Sequence, residues 1–583
     1  MTTPTERNVN KSNSDWPVRA RAQWEHLQAK ADSRVWLSVA SAEQFNEQVA
    51  ALEKRRLVGE ALPLLGQTFA AKDNIDATGF PTTAGCPAYA YSPADDATVV
   101  ARLKAAGAIL LGKTALDQFA TGLVGTRSPQ GPCPNALNPE FISGGSSSGS
   151  AMAVARGETD FSLGTDTAGS GRVPAALNGL IGYKPTCGTL STRGLVPACR
   201  SLDCVSIFAK TATHAARIAS VARGFDAQDA YSRAYAAKFD KWSNGAFRFG
   251  VPQESQLQFF GDSDAAGLFA EAVAKLKSIG GEAVAIDYAP FAVTTALLYQ
   301  GPWVAERYAA VGEWIESHAE ACDPTVAKII LGGKTKSAVD AFRAMYQLKA
   351  LQRTTAAIWN QCDCLVVPTA NALYRISEVV ANPVELNSRL GYYNNFVNLL
   401  DLAAVVVPTG FWPSGVSFGV NLIGPAFSDD ALLNLAGRCQ GEASWTATTG
   451  DTVRLAVVGA HLRGQPLHHQ LTTLRAEFIS QTTTAPRYRL HALVGTVPAK
   501  PGLVRVPEGG STIELEVFAL NPDGFGRFVG AVPPPLCIGS VELADGSWVK
   551  GFLCEPMGLQ GAPDISHFGG WRAYLAAGAK VKS

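Results

Sequence analysis

The chain has 583 residues, 47% of them hydrophobic and 17% charged, with 50 basic side chains balancing 50 acidic ones. Such a length predicts two to four domains with ample core, and the even charge without a basic block argues against a nucleic-acid partner. No apolar run reaches the roughly 18 residues of a membrane span, which argues against a membrane partner. The opening stretch "MTTPTERNVNKSNSD" is polar and lacks the apolar core of a secretory signal, so residues 1–16 are expected to be a disordered terminus. Eleven cysteines are scattered, and only Cys362 and Cys364 lie close together. A zinc site needs a second pair, so no metal is expected, and reduced thiols in a cytoplasmic core are.

From about residue 60 to 425, short apolar strands alternate with amphipathic helices. "TVVARLKAAG" predicts a helix stopped at Gly107, followed by the buried strand "AILLG"; "SAMAVARG" and "DFSLGTD" repeat that order. Further along, "DCLVVPTA", "LAAVVVPTG" and "VSFGVNLIG" predict strands, and "DDALLNLAGRCQ" a closing helix. This alternation predicts a layered α/β domain. The small, polar stretch "ASWTATTGDTV" marks a linker, drawn at 446–454 between a domain over 17–445 and a second over 455–583. The second domain reads as mostly β. "TIELEVFAL" alternates with period two, and Asp545-Gly546 sits between two strand-like runs as a two-residue hairpin signal. Five of the eight histidines (His461, His468, His469, His491 and His567) fall in this last part.

Three segments carry chemistry. In "FAAKDNID", Lys72 ends a short apolar strand. A lysine there is either a solvated strand end or, if buried, an amine that loses its proton readily and serves as a base. "ISGGSSSGSAMA" lacks the Gly-Lys-Ser/Thr ending of a nucleotide loop, so it is a flexible loop or an anion nest before a helix. Within it, Gly145 to Gly149 fit G-x-S-x-G, but a poor preceding strand and the scarcity of histidine argue against Ser147 as an elbow nucleophile. In "LGTDTAGSGRVPAA", Ser170 lies in a glycine-rich turn after a strand. The small residues Thr167, Ala168 and Gly169 before it can turn their N–H groups toward one point, as an oxyanion hole requires. Asp166 and Arg172 are expected to pair and hold that turn. Only His26, His214 and His318 occur before residue 450, none of them in a motif, so a reactive Ser170 needs another base.

"GGSSSGSAMAVARG…DFSLGTDTAGSGRVPAALNGLIGYKPT" resembles the signature of the amidase signature family, over about residues 60 to 425. The resemblance implies a mixed β-sheet core covered by helices and a Ser-cisSer-Lys triad formed by Ser170, Ser146 and Lys72. It also implies an oxyanion hole from the N–H groups of Thr167, Ala168, Gly169 and Ser170, with no metal or cofactor. "ALLYQGPWVAERYAAVGEW" resembles the substrate-carboxylate segment of allophanate hydrolases, which implies Tyr299 and Arg307 as carboxylate ligands. From the residues alone, Pro302 suits a helix start and puts Arg307 in its second turn, while Tyr299 precedes the break, so spacing does not bring the two together. "AVVGAHLRGQPLHHQL", "GSVELADGSWVKGFLCE" and "DISHFGGWRAYL" resemble the C-terminal domain of the same family, with a γ-glutamyl-cyclotransferase-like fold. No biotin-attachment segment accompanies them, which resembles the standalone bacterial type. Together these resemblances imply hydrolysis of allophanate to ammonia and carbon dioxide through N-carboxycarbamate, in a cytoplasmic homodimer. They also imply a functional link to a separate urea carboxylase or biuret hydrolase. The tail then either assists decarboxylation, with His461 as the first candidate, or serves assembly. The alternatives are an amidase of another small amide and an amidotransferase A-type subunit.

Overall fold

Alternating strand and helix patterns build, in this computed structural model, two units that divide between residues 447 and 448. The structure describes residues 15–235, 242, 245–442, 453–474, 476–520 and 522–580. Most of the terminus expected to be disordered lies outside these residues. Its last residue, Trp16, instead opens the helix Trp16–Lys30 and is buried with Ala20, Leu27 and Phe45, because so large an apolar ring gains by leaving water. The linker expected at 446–454 also lies outside the described residues as far as Thr452, whereas Val453 and Arg454 already belong to a strand.

The first unit is built on one mixed sheet. Its strands are β1 (Trp36–Val39), β2 (Thr68–Lys72), β3 (Ile109–Thr114), β4 (Phe161–Asp166), β5 (Ile181–Lys184), β6 (Cys204–Ala209), β7 (Phe247–Pro252), β8 (Gly281–Ile286), β9 (Cys364–Pro368), β10 (Leu402–Phe411) and β11 (Ser417–Pro425). They lie in the order β1-β3-β2-β4-β6-β5-β10-β11-β9-β7-β8. The predicted helices form at Thr98–Ala105, Ser148–Ala155 and Asp429–Gln440 and pack on or beside this sheet. Gly441 ends the last of them in the left-handed region at φ 72°, a C-cap that a side chain would strain. Toward one end of the sheet, inside its edge strand β1, β2 runs parallel to both β3 and β4, and all residues of these three strands are buried. Lys72 and Asp166 therefore sit at the carboxyl ends of neighbouring strands, the edge where open α/β sheets place their ligands.

The second unit has its own core, around Leu455, Val457, Phe518, Val541, Phe552 and Trp571. It is mostly β, with strands β12 (Val453–Val457), β13 (Glu477–Thr483), β14 (Tyr488–Ala492), β15 (Pro501–Arg505), β16 (Glu514–Leu520), β17 (Leu536–Glu542) and β18 (Trp548–Cys554). Five of them form a sheet in the order β13-β16-β12-β18-β17, and β14 pairs with β15 separately. Two local expectations are corrected. The period-two pattern of β16 implies one wet face, yet Leu515–Leu520 are all buried because β16 is an inner strand. Glu516 tolerates full burial because its Oε1 accepts from Arg463 Nε at 3.0 Å and Arg572 Nη2 at 2.9 Å. The β17–β18 hairpin closes on a three-residue loop, Ala544 to Gly546, where Leu543 N–H donates to Ser547 O at 2.8 Å. Only Gly546 has positive φ, at 83°, whereas the expected two-residue turn of Asp-Gly type needs positive φ at both positions.

Candidate active site

Lys72 is fully buried at the end of β2, and its Nζ lies 2.7 Å from Ser146 Oγ and 2.8 Å from Thr165 Oγ1. Parallel pairing of β2 with β4 explains the second contact, since it lays Ala71 beside Leu163 and brings the strand ends together. Burial pulls the Lys72 amine down to about 7, against the opposing pull of the Asp117, Asp203 and Asp166 carboxylates. The solvated reading of this lysine is thereby excluded.

Ser146 follows a cis peptide bond after Gly145. A Cβ on Gly145 would stand 2.2 Å from Asp117 Oδ2, so only glycine lets the chain pass there. Asp117 N–H donates to Ser146 O at 3.1 Å, while its carboxylate accepts from Gly125 N–H at 3.1 Å and Arg127 N–H at 2.9 Å. One buried aspartate, through its N–H and its carboxylate, thus ties the segments around Ser146 together. Nothing in the sequence marks Asp117, a lone acid in "ALDQF". Ser147, the other serine considered, exchanges hydrogen bonds with the Thr165 backbone (3.1 Å to O, 3.3 Å from N) and serves the packing of β4.

Ser170 lies in the turn between β4 and the helix Val173–Leu177. Asp166 and Arg172 pair as expected, with both guanidinium contacts near 3 Å (2.9 and 3.0 Å) and both groups fully buried. The Asp166 carboxylate also takes the N–H groups of Gly169 at 2.9 Å and Gly171 at 3.0 Å. The Gly169 N–H, expected among the oxyanion donors, is therefore committed to holding the turn. The N–H groups of Thr167, Ala168 and Ser170 have no acceptor among the described residues. Ser170 Oγ donates to Gly122 O at 3.4 Å, so among the described residues the hydrogen-bonded chain from Lys72 stops at Ser146.

Tyr299 lies in the last turn of the helix Ala289–Gln300, and Arg307 is in the second turn of Trp303–Ser317, with Pro302 as the N-cap residue rather than the first helical one. The helices break at Gly301-Pro302, and across that break Arg307 Nη2 lies 3.5 Å from Tyr299 Oη. Arg307 is buried, and its Nη1 donates to Thr121 Oγ1 at 2.9 Å. Arg307 thus bonds the side chain of Thr121 and Ser170 the carbonyl of its neighbour Gly122, so two adjacent residues contact the arginine and the serine. Sequence reasoning missed both residues, which lie in a stretch where Phe119 and Ala120 adopt left-handed φ of 49° and 52°. It also missed Asp203, whose carboxyl burial pushes up to about 6.

In the second unit His461 stacks on Phe552, with ring centroids 5.0 Å apart, and meets Phe528 edge-on at 5.1 Å. Its Nε2 is 2.9 Å from Gln470 Oε1, and burial lowers its pKa. No group of His, Cys, Asp and Glu suited to a metal ion occurs among the described residues.

Comparison with known proteins adds to this geometry. Residues 24–433 match the family model Amidase, and residues 453–576 match the allophanate hydrolase C-terminal domain. The urea amidolyase of Saccharomyces cerevisiae is 45% identical over 579 residues, covering 94% of this chain and 31% of its own length. The chain thus spans about a third of that relative. An allophanate hydrolase structure from Kluyveromyces lactis superposes with a TM-score of 0.75 at 42% identity, covering 97% of this chain and 98% of its own. The A subunit of the glutamyl-tRNA(Gln) amidotransferase of Deinococcus radiodurans is 35% identical over 422 residues, covering 67% of this chain and 87% of its own.

Proposed function

Because the chain belongs to the amidase family and carries an allophanate hydrolase C-terminal domain, we propose that it hydrolyses allophanate to ammonia and carbon dioxide. Neutral Lys72 accepts a proton from Ser146, which takes one from Ser170 as that oxygen attacks the terminal amide carbonyl. The tetrahedral oxyanion is met by the N–H groups of Thr167, Ala168 and Ser170. The proton returns along the same chain to the leaving nitrogen, ammonia departs, and water hydrolyses the acyl-enzyme to N-carboxycarbamate. Arg307 and Tyr299 hold the substrate carboxylate, the guanidinium by charge-assisted bonds. In the tail, His461 with its Gln470 partner is the candidate proton donor for loss of carbon dioxide from that product.

The observation that carries this reading is the junction of Thr121 with Gly122. Arg307 bonds the Thr121 hydroxyl and Ser170 the Gly122 carbonyl, and contacts to two adjacent residues suit a substrate whose acid lies a few bonds from its amide. The eleven cysteines are all free thiols, which suits a reducing cytoplasm, and no described helix is long and apolar enough to cross a membrane. We place the chain downstream of a urea carboxylase or biuret hydrolase activity, as a homodimer. The test is a mass-resolved assay of the purified chain on allophanate, biuret, urea and glutamine. Turnover of allophanate well above the rest is expected; turnover of glutamine but not allophanate sinks the reading in favour of an amidotransferase-like amidase.

A further inference from the structure

Asp203, the residue directly before β6, is a buried carboxylate with no ion-pair partner among the described residues. Burying a charge is costly unless hydrogen bonds satisfy it, and all the bonds it makes go to two places. Its Oδ1 accepts the Thr167 hydroxyl at 2.5 Å and the Cys199 N–H at 3.2 Å, and its Oδ2 accepts the Ala198 N–H at 2.9 Å. Thr167 is the first residue of the turn that carries Ser170. Anchoring its side chain fixes the plane of the Thr167–Ala168 peptide and so the direction of the Ala168 N–H.

The other end of the 198–203 loop is fastened to the helix that bears Arg307. Ser201 N–H and Oγ donate to Glu306 Oε1 and Oε2, both at 2.7 Å, and Cys199 Sγ lies 3.5 Å from Trp303 O. Glu306 immediately precedes Arg307 in sequence. A single short loop therefore joins the turn of the nucleophile to the helix of the carboxylate ligand, with Asp203 as its clasp.

We propose that Asp203 is a positioning residue: it grips Thr167 by the hydroxyl so that the N–H groups of Thr167 and Ala168 converge on the developing oxyanion. This goes beyond, but builds on, the assignment of Ser170 as nucleophile. An oxyanion donor set askew still binds substrate, because the ground-state carbonyl needs it less than the tetrahedral state does. The loss accordingly falls on kcat rather than KM.

The experiment compares Thr167→Val, which keeps shape but removes the hydroxyl, with Thr167→Ser, Asp203→Asn and the Thr167→Val/Asp203→Asn pair in the full chain. Thr167→Val and Asp203→Asn are expected to lower kcat by about 10- to 100-fold, somewhat less than deleting a donor outright, with KM within about threefold. Thr167→Ser keeps the hydroxyl and should recover most of kcat. The pair should be no worse than its worse member, since both changes break one contact. If Asp203→Asn does not fold, Thr167→Val and Thr167→Ser still decide. Unchanged kcat in Thr167→Val, a rise in KM alone, or a Thr167→Ser as impaired as Thr167→Val overturns the proposal. If the parent does not cleave allophanate, the substrate reading fails separately, and the same comparison runs on whichever of biuret, urea or glutamine it does cleave.

Discussion

With burial holding the Lys72 amine near 7, a large share of it is free base at neutral pH, and its Ser146 contact is already formed. Only the neutral amine can accept a proton, and its fraction grows as pH rises. The rate kcat/KM should therefore climb through pH about 7 and level off above it, with the acid limb set by one ionisation. An acid-stable isostere such as malonamate, with carbon in place of the bridging nitrogen, serves for that profile, and a limb near 10 would show a solvated lysine. Replacing Ser170 by alanine should abolish amide cleavage, Lys72→Ala nearly so, and Ser146→Ala should lose several orders of magnitude. Because the three act as a unit, the Lys72/Ser146 double variant should be little worse than the worse single one; multiplying losses would contradict the relay. In the sequence, Ser146 and Ser170 stand out in glycine- and serine-rich motifs and Lys72 at the end of an apolar strand, and the family resemblance is what groups the three. Asp117, Thr121 and Asp203 do not stand out. Each is a lone polar residue whose role is made by partners far along the chain, such as Asp203 with Thr167 and Thr121 with Arg307.

Among the secondary-structure elements, the most informative join is the Gly301-Pro302 break between the helices Ala289–Gln300 and Trp303–Ser317. Helical spacing cannot predict that Tyr299 and Arg307 meet across it, since the bend depends on tertiary packing. Replacing Arg307 by leucine should weaken binding of a carboxylated substrate by about 1.5–3 kcal/mol, the range for a hydrogen bond to a charged group. KM measurements on malonamate and on a neutral amide of the same size separate the possibilities, because the penalty should disappear with the neutral one. Equal penalties on both would make the arginine a packing residue. Strands and helices of the first unit followed their hydrophobic patterns closely, and the helix Asp429–Gln440 coincides with its predicted segment. In the second unit the pattern misled where a charge is buried, at Glu516, because periodicity cannot see Arg463 and Arg572 arriving from elsewhere.

For the molecule as a whole, the two units have separate hydrophobic cores, so their stabilities should be separable. A chain ending at residue 447 should fold cooperatively and still release ammonia from allophanate, because Lys72, Ser146, Ser170, Tyr299 and Arg307 all precede that point. What should change is the fate of N-carboxycarbamate, followed directly in the truncated chain and in His461→Ala. Slower loss of that compound than in the full chain assigns chemistry to the tail. Loss at the full-chain rate with an altered oligomer leaves the tail an assembly module. Burial lowers the pKa of His461, so a contribution as proton donor should fade as pH rises while still below the usual histidine range.

The proposed chemistry stands or falls on acylation of Ser170. Short incubation of the full chain with malonamate, acid quench and peptide mass spectrometry read it out directly. A malonyl adduct on the peptide that contains Ser170, absent from Ser170→Ala, is the expected finding. An adduct on the peptide of Ser146 and Ser147 instead, or ammonia release that survives in Ser170→Ala, would overthrow the proposed chemistry.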